Sequence, residues 1–212
     1  SPMSDTIDHP FFARLWIAMS SREPESLRRL RRENLAGLSG RVLEVGAGTG
    51  TNFAFYPDTV TEVVAVEPER RLAALARVAA ATAQIPVTVD TGTVEKFADA
   101  GEFDAVVCSL VLCSVDDPEK VVSQLHSLLR PGGQLHYLEH IAGIGPRARL
   151  QKFADATLWP RIAGNCHTHR HTEETIAGAG FRVTGARREW TFPAWVPVPV
   201  AEFAVGVAVK PG

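Results

Sequence analysis

The chain has 212 residues, of which 45% are hydrophobic and 22% charged, and its formal net charge is −2. These values are typical of a globular protein that buries its own core, and the charge argues against nucleic acid as a partner. Three separated cysteines without a CxxC pair favour reduced thiols and a cytoplasmic location. Since no apolar run reaches the length of a membrane span, we expect no stable membrane insertion.

The first forty residues predict two amphipathic helices. Residues 10–19 are apolar and aromatic, and the segment that follows carries leucines at near-helical spacing among several arginines. We interpret the basic run 28–32 as the solvated face of the second helix. The leucines of the opposite face are Leu27, Leu30, Leu35 and Leu38. We expect residues 1–40 to form a helical lid and residues 41–212 to form the main domain.

From residue 41 the pattern changes to short β-branched runs that alternate with helical stretches. Such alternation predicts an α/β fold with a mostly parallel sheet. The expected strands are 42–45, 63–66, 87–89, 103–109, 134–139, 181–190 and 201–209. The expected helices are 69–81, 117–130 and 172–179, the last with Thr172 as its cap.

A glycine-rich turn follows the first predicted strand. Gly46, Gly48 and Gly50 let the backbone approach a ligand closely. Because Thr51 stands where a GxGxxG dinucleotide fingerprint needs its third glycine, the spacing argues against a nicotinamide cofactor. Glu67 ends the second strand, where its carboxylate can accept hydrogen bonds from both hydroxyls of an adenosine ribose.

Four segments together resemble the class I S-adenosylmethionine-dependent methyltransferases. They are EVGAGTG at 44–50, Glu67, FDAVVCS at 103–109 and LRPGG at 129–133. The resemblance implies a Rossmann-like seven-stranded sheet in the order 3-2-1-4-5-7-6 with helices on both faces. It also implies S-adenosyl-L-methionine as cofactor and S-adenosyl-L-homocysteine as product.

The same resemblance implies which residues contact the cofactor. Many relatives carry an aspartate at the position of Thr93, which leaves the adenine amino group to a hydroxyl or to the backbone near Val94. Packing in the core is an equally good interpretation of Leu110. The full expected set is Glu44, Gly46, Ala47, Gly48, Gly50, Asn52, Glu67, Pro68, Thr93, Val94, Ser109 and Leu110.

A closer resemblance links the chain to the thiol S-methyltransferases of animals and their bacterial relatives. It rests on NFAFYP at 52–57, CSLVLCSV at 108–115, LEH at 138–140 and GNC at 164–166. It implies a small-molecule acceptor, with a thiol as the leading choice. The alternatives are O-, N- or C-methylation of a small metabolite, lipid or quinone, or binding of the cofactor without catalysis.

Methylation of a thiol benefits from a base, because the thiolate is the nucleophile. His140 directly follows the predicted fifth strand, at the edge where open parallel sheets bind ligands, and is the first choice for that base. Glu139 is the expected orienting residue. The alternative is that His140 only hydrogen-bonds a loop carbonyl.

Aromatic residues near both ends of the chain are expected to roof an acceptor pocket, although core packing explains each of them equally well. The Cys166–His171 segment has ligand types that suit zinc, but it lacks the paired spacing of a structural site, and we expect no metal. The expected acceptor contacts are Phe11, Trp16, Cys113, Trp159, His169 and Trp195.

Overall fold

The computed structural model describes residues 10–20, 23–97, 102–111, 117–140, 172–190 and 202–212. Five helices and seven strands lie in these ranges, with 3-10 turns at Thr51–Phe55 and Val94–Phe97. The helices are α1 Pro10–Ser20, α2 Glu25–Leu35, α3 Arg70–Ala81, α4 Pro118–Leu128 and α5 Thr172–Gly178. The strands are β1 Gly40–Val45, β2 Val60–Val66, β3 Val87–Asp90, β4 Phe103–Ser109, β5 Leu129–His140, β6 Arg182–Trp190 and β7 Glu202–Val209.

The strands form one sheet in the order β3-β2-β1-β4-β5-β7-β6, which confirms the predicted topology. Strands β1 to β5 run parallel to one another, whereas β7 pairs antiparallel with both β5 and β6. The carboxyl ends of the parallel strands therefore meet at one edge of the sheet. The order reverses between β1 and β4, and open α/β sheets bind ligands at such a point.

Strand β5 begins earlier than the sequence predicted. It starts at Leu129 instead of residue 134, and α4 ends at Leu128 instead of residue 130. Leu129 pairs with Phe103 before the register with β4 shifts. The N–H of Gly132, whose φ is 78°, donates to the carbonyl of Lys210 over 2.8 Å. These pairings extend the strand through a segment whose Pro-Gly-Gly sequence indicates a turn.

The starts of α3 and α4 are fixed by carboxylates. Glu69 accepts the backbone N–H groups of Arg71 and Leu72 at the start of α3, each over 2.9 Å. Asp117 accepts that of Lys120 ahead of α4 over 3.0 Å. The predicted cap at Thr172 is wrong, because α5 already begins at this residue and its buried hydroxyl has no hydrogen-bond partner among the described residues.

Apolar side chains cover both faces of the sheet. One cluster includes Leu43, Leu125 and Ile176 and lies on the face that α4 and α5 cover. The other includes Val42 and Ala76 and lies on the α3 face. These two layers hold the sheet rigidly and so fix the edge at which the parallel strands end. No helix in the described ranges is long and apolar enough to cross a membrane.

Helix α2 departs from the predicted solvated basic face at one position. Arg28, Arg29 and Arg32 are exposed as expected, but Arg31 is 5% exposed. The cause is helical geometry, because Arg31 lies four residues after Leu27 and so shares its inward face.

Candidate functional site

The three predicted glycines form the turn that leaves β1. Gly46, Gly48 and Gly50 have φ values of 66°, 59° and 83°, which glycine adopts without strain. A Cβ atom on Gly46 would lie 2.5 Å from Cγ2 of Val111, which follows β4. The turn therefore packs against the exit of β4 and leaves its backbone close to the carboxyl edge of the sheet.

Glu67 lies directly after β2, beside this turn. Its Oε1 accepts the backbone N–H of Gly48 over 2.8 Å, and its Oε2 accepts that of Glu69 over 2.9 Å. Burial raises the pKa of Glu67 to about 7, although both backbone hydrogen bonds oppose this shift. The carboxylate is therefore held in one orientation between the glycine turn and the start of α3.

A second buried carboxylate, Glu44, lies inside β1. The hydroxyl of Tyr56 donates to its Oε1 over 2.5 Å. Burial raises the pKa of Glu44 to about 7, while hydrogen bonds from Tyr56 and Asn52 lower it. Asn52 also donates through Nδ2 to Oγ of Ser109 over 3.0 Å. The start of the 3-10 turn, β1 and the end of β4 are thus joined by polar side chains.

Beyond Ser109 the backbone takes an unusual conformation. Leu110 has a φ of 61°, which costs a non-glycine residue about 1–3 kcal/mol. Its N–H donates to the carbonyl of Leu138 over 2.7 Å. The next N–H, that of Val111, donates to Oε1 of Glu139 over 3.1 Å. Glu139 has no exposed surface, and it fixes the chain as it leaves β4.

The loop after β3 is ordered by its own side chains. Asp90 accepts the N–H of Gly92 over 2.7 Å and pairs with Lys96 over 3.0 Å. Thr93 hydrogen-bonds the Glu95 carboxylate, and this hydrogen bond is the largest cause of the lowered pKa of Glu95. The hydroxyl of Thr93 therefore donates to Glu95, and its oxygen keeps lone pairs that can accept from the adenine amino group. Two other expected contacts nearby are the buried Val94 and the half-buried Pro68.

The expected acceptor side includes residues of α1 and the end of β5. Phe11 lies on α1 and is 65% exposed, and His140 ends β5, where it pairs with Phe203 of β7. The described part of the chain contains no group of three His, Cys, Asp or Glu side chains that could hold a metal. Outside the described residues lie the side chains of Trp16 and His140, together with Cys113, Trp159, Cys166, His169 and Trp195.

The described geometry fits S-adenosylmethionine. Each oxygen of Glu67 uses one lone pair for a backbone N–H and keeps another for a ribose hydroxyl. At Gly46, Gly48 and Gly50 the turn has no side chain that would obstruct an amino-acid moiety. In their ionised forms, Glu44 and Glu67 provide negative charge at the edge of the sheet where a cationic ligand would bind.

Tyr56 and Arg31 were not among the predicted site residues, although each had a recognisable signal. Tyr56 follows the 3-10 turn in the motif NFAFYP and donates to the buried Glu44. Arg31 shares the leucine spacing of α2 and donates to the side chain of Asn52 over 3.1 Å. Polar residues at apolar positions of a periodic pattern would have identified Arg31.

Comparisons with known proteins agree with this geometry. Residues 19–184 match the family described as a methyltransferase domain. The chain is 35% identical to the thiol S-methyltransferase TMT1B of Mus musculus, over 95% of this chain and 85% of that protein. It is 32% identical to TMT1B of Homo sapiens over the same shares. N-methyltransferase NodS from Bradyrhizobium japonicum, solved with S-adenosyl-L-homocysteine, has the same fold, with a TM-score of 0.69, 13% identity, and coverage of 95% of this chain and 99% of that one.

Proposed function

The chain belongs to the methyltransferase-domain family, and we propose that it transfers the methyl group of S-adenosylmethionine to the sulfur of a small-molecule thiol. The observation that carries the cofactor assignment is the Glu67 carboxylate, fixed 2.8 Å from the N–H of Gly48. The names and the extent of the relatives that are 32–35% identical support a thiol as acceptor.

We assign cofactor binding to the carboxyl edge around β1, β2 and β4. Glu67 accepts the two ribose hydroxyls, and the backbone of the glycine turn contacts the methionine part. When bound, S-adenosylmethionine supplies an electrophilic methyl group on a positively charged sulfur. The remaining proposed contacts are Glu44, Ala47, Asn52, Pro68, Thr93, Val94, Ser109 and Leu110.

His140 is the proposed base for the acceptor. A thiol with a pKa of about 8.5 is mostly protonated at neutral pH, and an adjacent imidazole raises the thiolate fraction. His140 ends β5, next to the strand that ends at Ser109. Glu139 is better assigned as a positioning residue, because its fully buried carboxylate accepts the N–H of Val111.

The N-terminal residues are the proposed cover of the acceptor pocket. Residues 1–40 act as a lid over the domain formed by residues 41–212, and closure excludes water from the reacting sulfur. No metal takes part, and the free, buried Cys108 is consistent with a cytoplasmic setting. The proposed acceptor contacts are Phe11, Trp16, Cys113, Trp159, His169 and Trp195.

Mass spectrometry of products tests the acceptor. Purified protein is incubated with methyl-labelled S-adenosylmethionine and matched sets of small thiols, phenols and amines. We expect labelled thioethers, together with one S-adenosylhomocysteine for each methyl transferred. A Glu67→Ala variant controls for uncatalysed transfer. Preferential labelling of phenols or amines, or cofactor binding without any transfer, would overturn the proposed function.

A further inference from the structure

A buried ion pair precedes the cofactor turn and connects to it. Nε and Nη2 of Arg31 donate to the two carboxylate oxygens of Glu23 over 2.7 and 3.1 Å. The two side chains are only 5% and 6% exposed. Nη1 of Arg31 donates to Oδ1 of Asn52 over 3.1 Å. A bidentate arginine therefore joins the segment ahead of α2 to the turn that follows the three glycines.

Asn52 passes this connection on to two strands. Its Nδ2 donates to Oγ of Ser109 at the end of β4, and it also hydrogen-bonds Glu44 of β1. With Oδ1 bound to Arg31, the amide can take only one orientation. The contact with Arg31 thus holds the amide oxygen of Asn52 toward Arg31 and leaves the amide nitrogen facing Ser109 and Glu44.

We propose that Arg31 is a positioning residue for the cofactor and that it couples attachment of the N-terminal segment, through Glu23 and Asn52, to cofactor affinity. The inference rests on the proposed cofactor contacts of Asn52 and Ser109, but not on the thiol acceptor. Arg31 itself acts through Asn52 and is not assigned to the reacting groups.

Attachment of α2 does not by itself explain this arrangement. Leu27 and Leu30 already pack against Leu138 and Phe203 on the sheet. Asn34 donates to the carbonyls of β5 and β7 over 3.3 and 3.2 Å. A buried ion pair is weak evidence for stability, since desolvation offsets much of its attraction. The contact with Asn52 is the feature that gives Arg31 a connection to the site.

Cofactor affinity measured by titration calorimetry tests the coupling. Glu23→Gln keeps the size of the side chain but removes its charge, and the double variant Glu23→Gln/Arg31→Met leaves no lone buried charge. Arg29→Met is the matched control, because Arg29 lies on the same helix with its side chain 58% exposed. We expect the double variant to bind S-adenosylmethionine and S-adenosylhomocysteine about tenfold more weakly and the control to bind like the wild type. The single variant Arg31→Lys should retain part of the affinity that the double variant loses, since lysine keeps the charge without the bidentate geometry.

A double-mutant cycle separates positioning from general stability. Glu23→Gln is measured alone and in the Asn52→Ala background. In that background it should no longer change cofactor affinity, because the connection is already broken. Turnover should show a raised KM for the cofactor with an unchanged KM for the acceptor. If the Arg31 and Glu23 variants lower the melting temperature and bind the cofactor like the wild type, the inference is wrong. Failure of thiol methylation would leave these binding results unaffected.

Discussion

Glu139 accepts the backbone N–H of Val111 over 3.1 Å, which joins the end of β5 to the chain as it leaves β4. In Glu139→Ala the N–H of Val111 loses this buried hydrogen bond, and the free energy of unfolding should fall by about 1–3 kcal/mol. Glu139→Gln keeps an oxygen for Val111 and should retain most of the turnover. Urea denaturation and steady-state kinetics of both variants measure these effects. If Glu139→Gln and Glu139→Ala lose turnover to the same extent, the carboxylate has a chemical role in place of a positioning one.

His140 should affect the acceptor step and not cofactor binding. In His140→Ala the turnover with an ordinary thiol should fall about 100-fold, which is typical for loss of a general base. The loss should be smaller with an acidic thiol, since that acceptor already exists as thiolate at neutral pH. Parallel kinetics with two thiols of different pKa provide the measurement. An equal loss for both thiols would contradict the role as base.

Cofactor affinity should depend on pH through Glu67. Its pKa is about 7 in the structure, mainly because it is buried. Ribose hydroxyls donate to the ionised form, so binding favours loss of the proton, and affinity should rise from about pH 6 to about pH 8 and then level off. Calorimetry in buffers of different ionisation enthalpy should detect the released proton. Glu67→Gln should bind weakly and lose most of this pH dependence, and Glu44, whose pKa is also about 7, accounts for any part that stays. A wild-type affinity that is constant over this range would refute the assignment.

Much of the architecture was predictable, because local patterns determined it. The alternation of β-branched runs and helices predicted the strands, and the resemblance gave the sheet order that the structure confirms. The start of β5 was not predictable, since Leu129 joins the strand only through its pairing with Phe103. That pairing lies 26 residues away in the sequence and leaves no periodic signal.

The candidate site was predictable where backbone geometry demands particular residues. Positive φ at Gly46, Gly48 and Gly50 is a requirement that the sequence displays directly. The polar connections were not visible in the same way. Tyr56 meets Glu44, and Arg31 meets Asn52, only after the 3-10 turn and α2 have packed on the sheet. Such contacts depend on tertiary structure and not on spacing alone.

Gly50 should tolerate no side chain. A Cβ atom there would lie 2.7 Å from Cε2 of Phe53 and 2.9 Å from Cβ of Ala79, and φ is 83°. Gly50→Ala should therefore lower the free energy of unfolding by more than about 1 kcal/mol and weaken cofactor binding. The matched control is Gly37→Ala, because a Cβ atom at Gly37 would meet nothing within 4 Å. Thermal melting with and without cofactor compares the pair, and equal melting temperatures would contradict the expected strain.

Deletion of residues 1–20 separates the proposed lid from the Arg31 connection. The truncated chain lacks α1 but keeps Glu23 and Arg31, whose ion pair reaches Asn52. We expect turnover to be abolished, since water is no longer excluded from the acceptor, while cofactor affinity stays within about threefold of the wild type. Calorimetry and product analysis on the same preparation measure both quantities. Retained turnover would disprove the lid, because α1 would then contribute nothing to the reaction, whereas a joint loss of turnover and affinity would show that α1 supports the cofactor site itself.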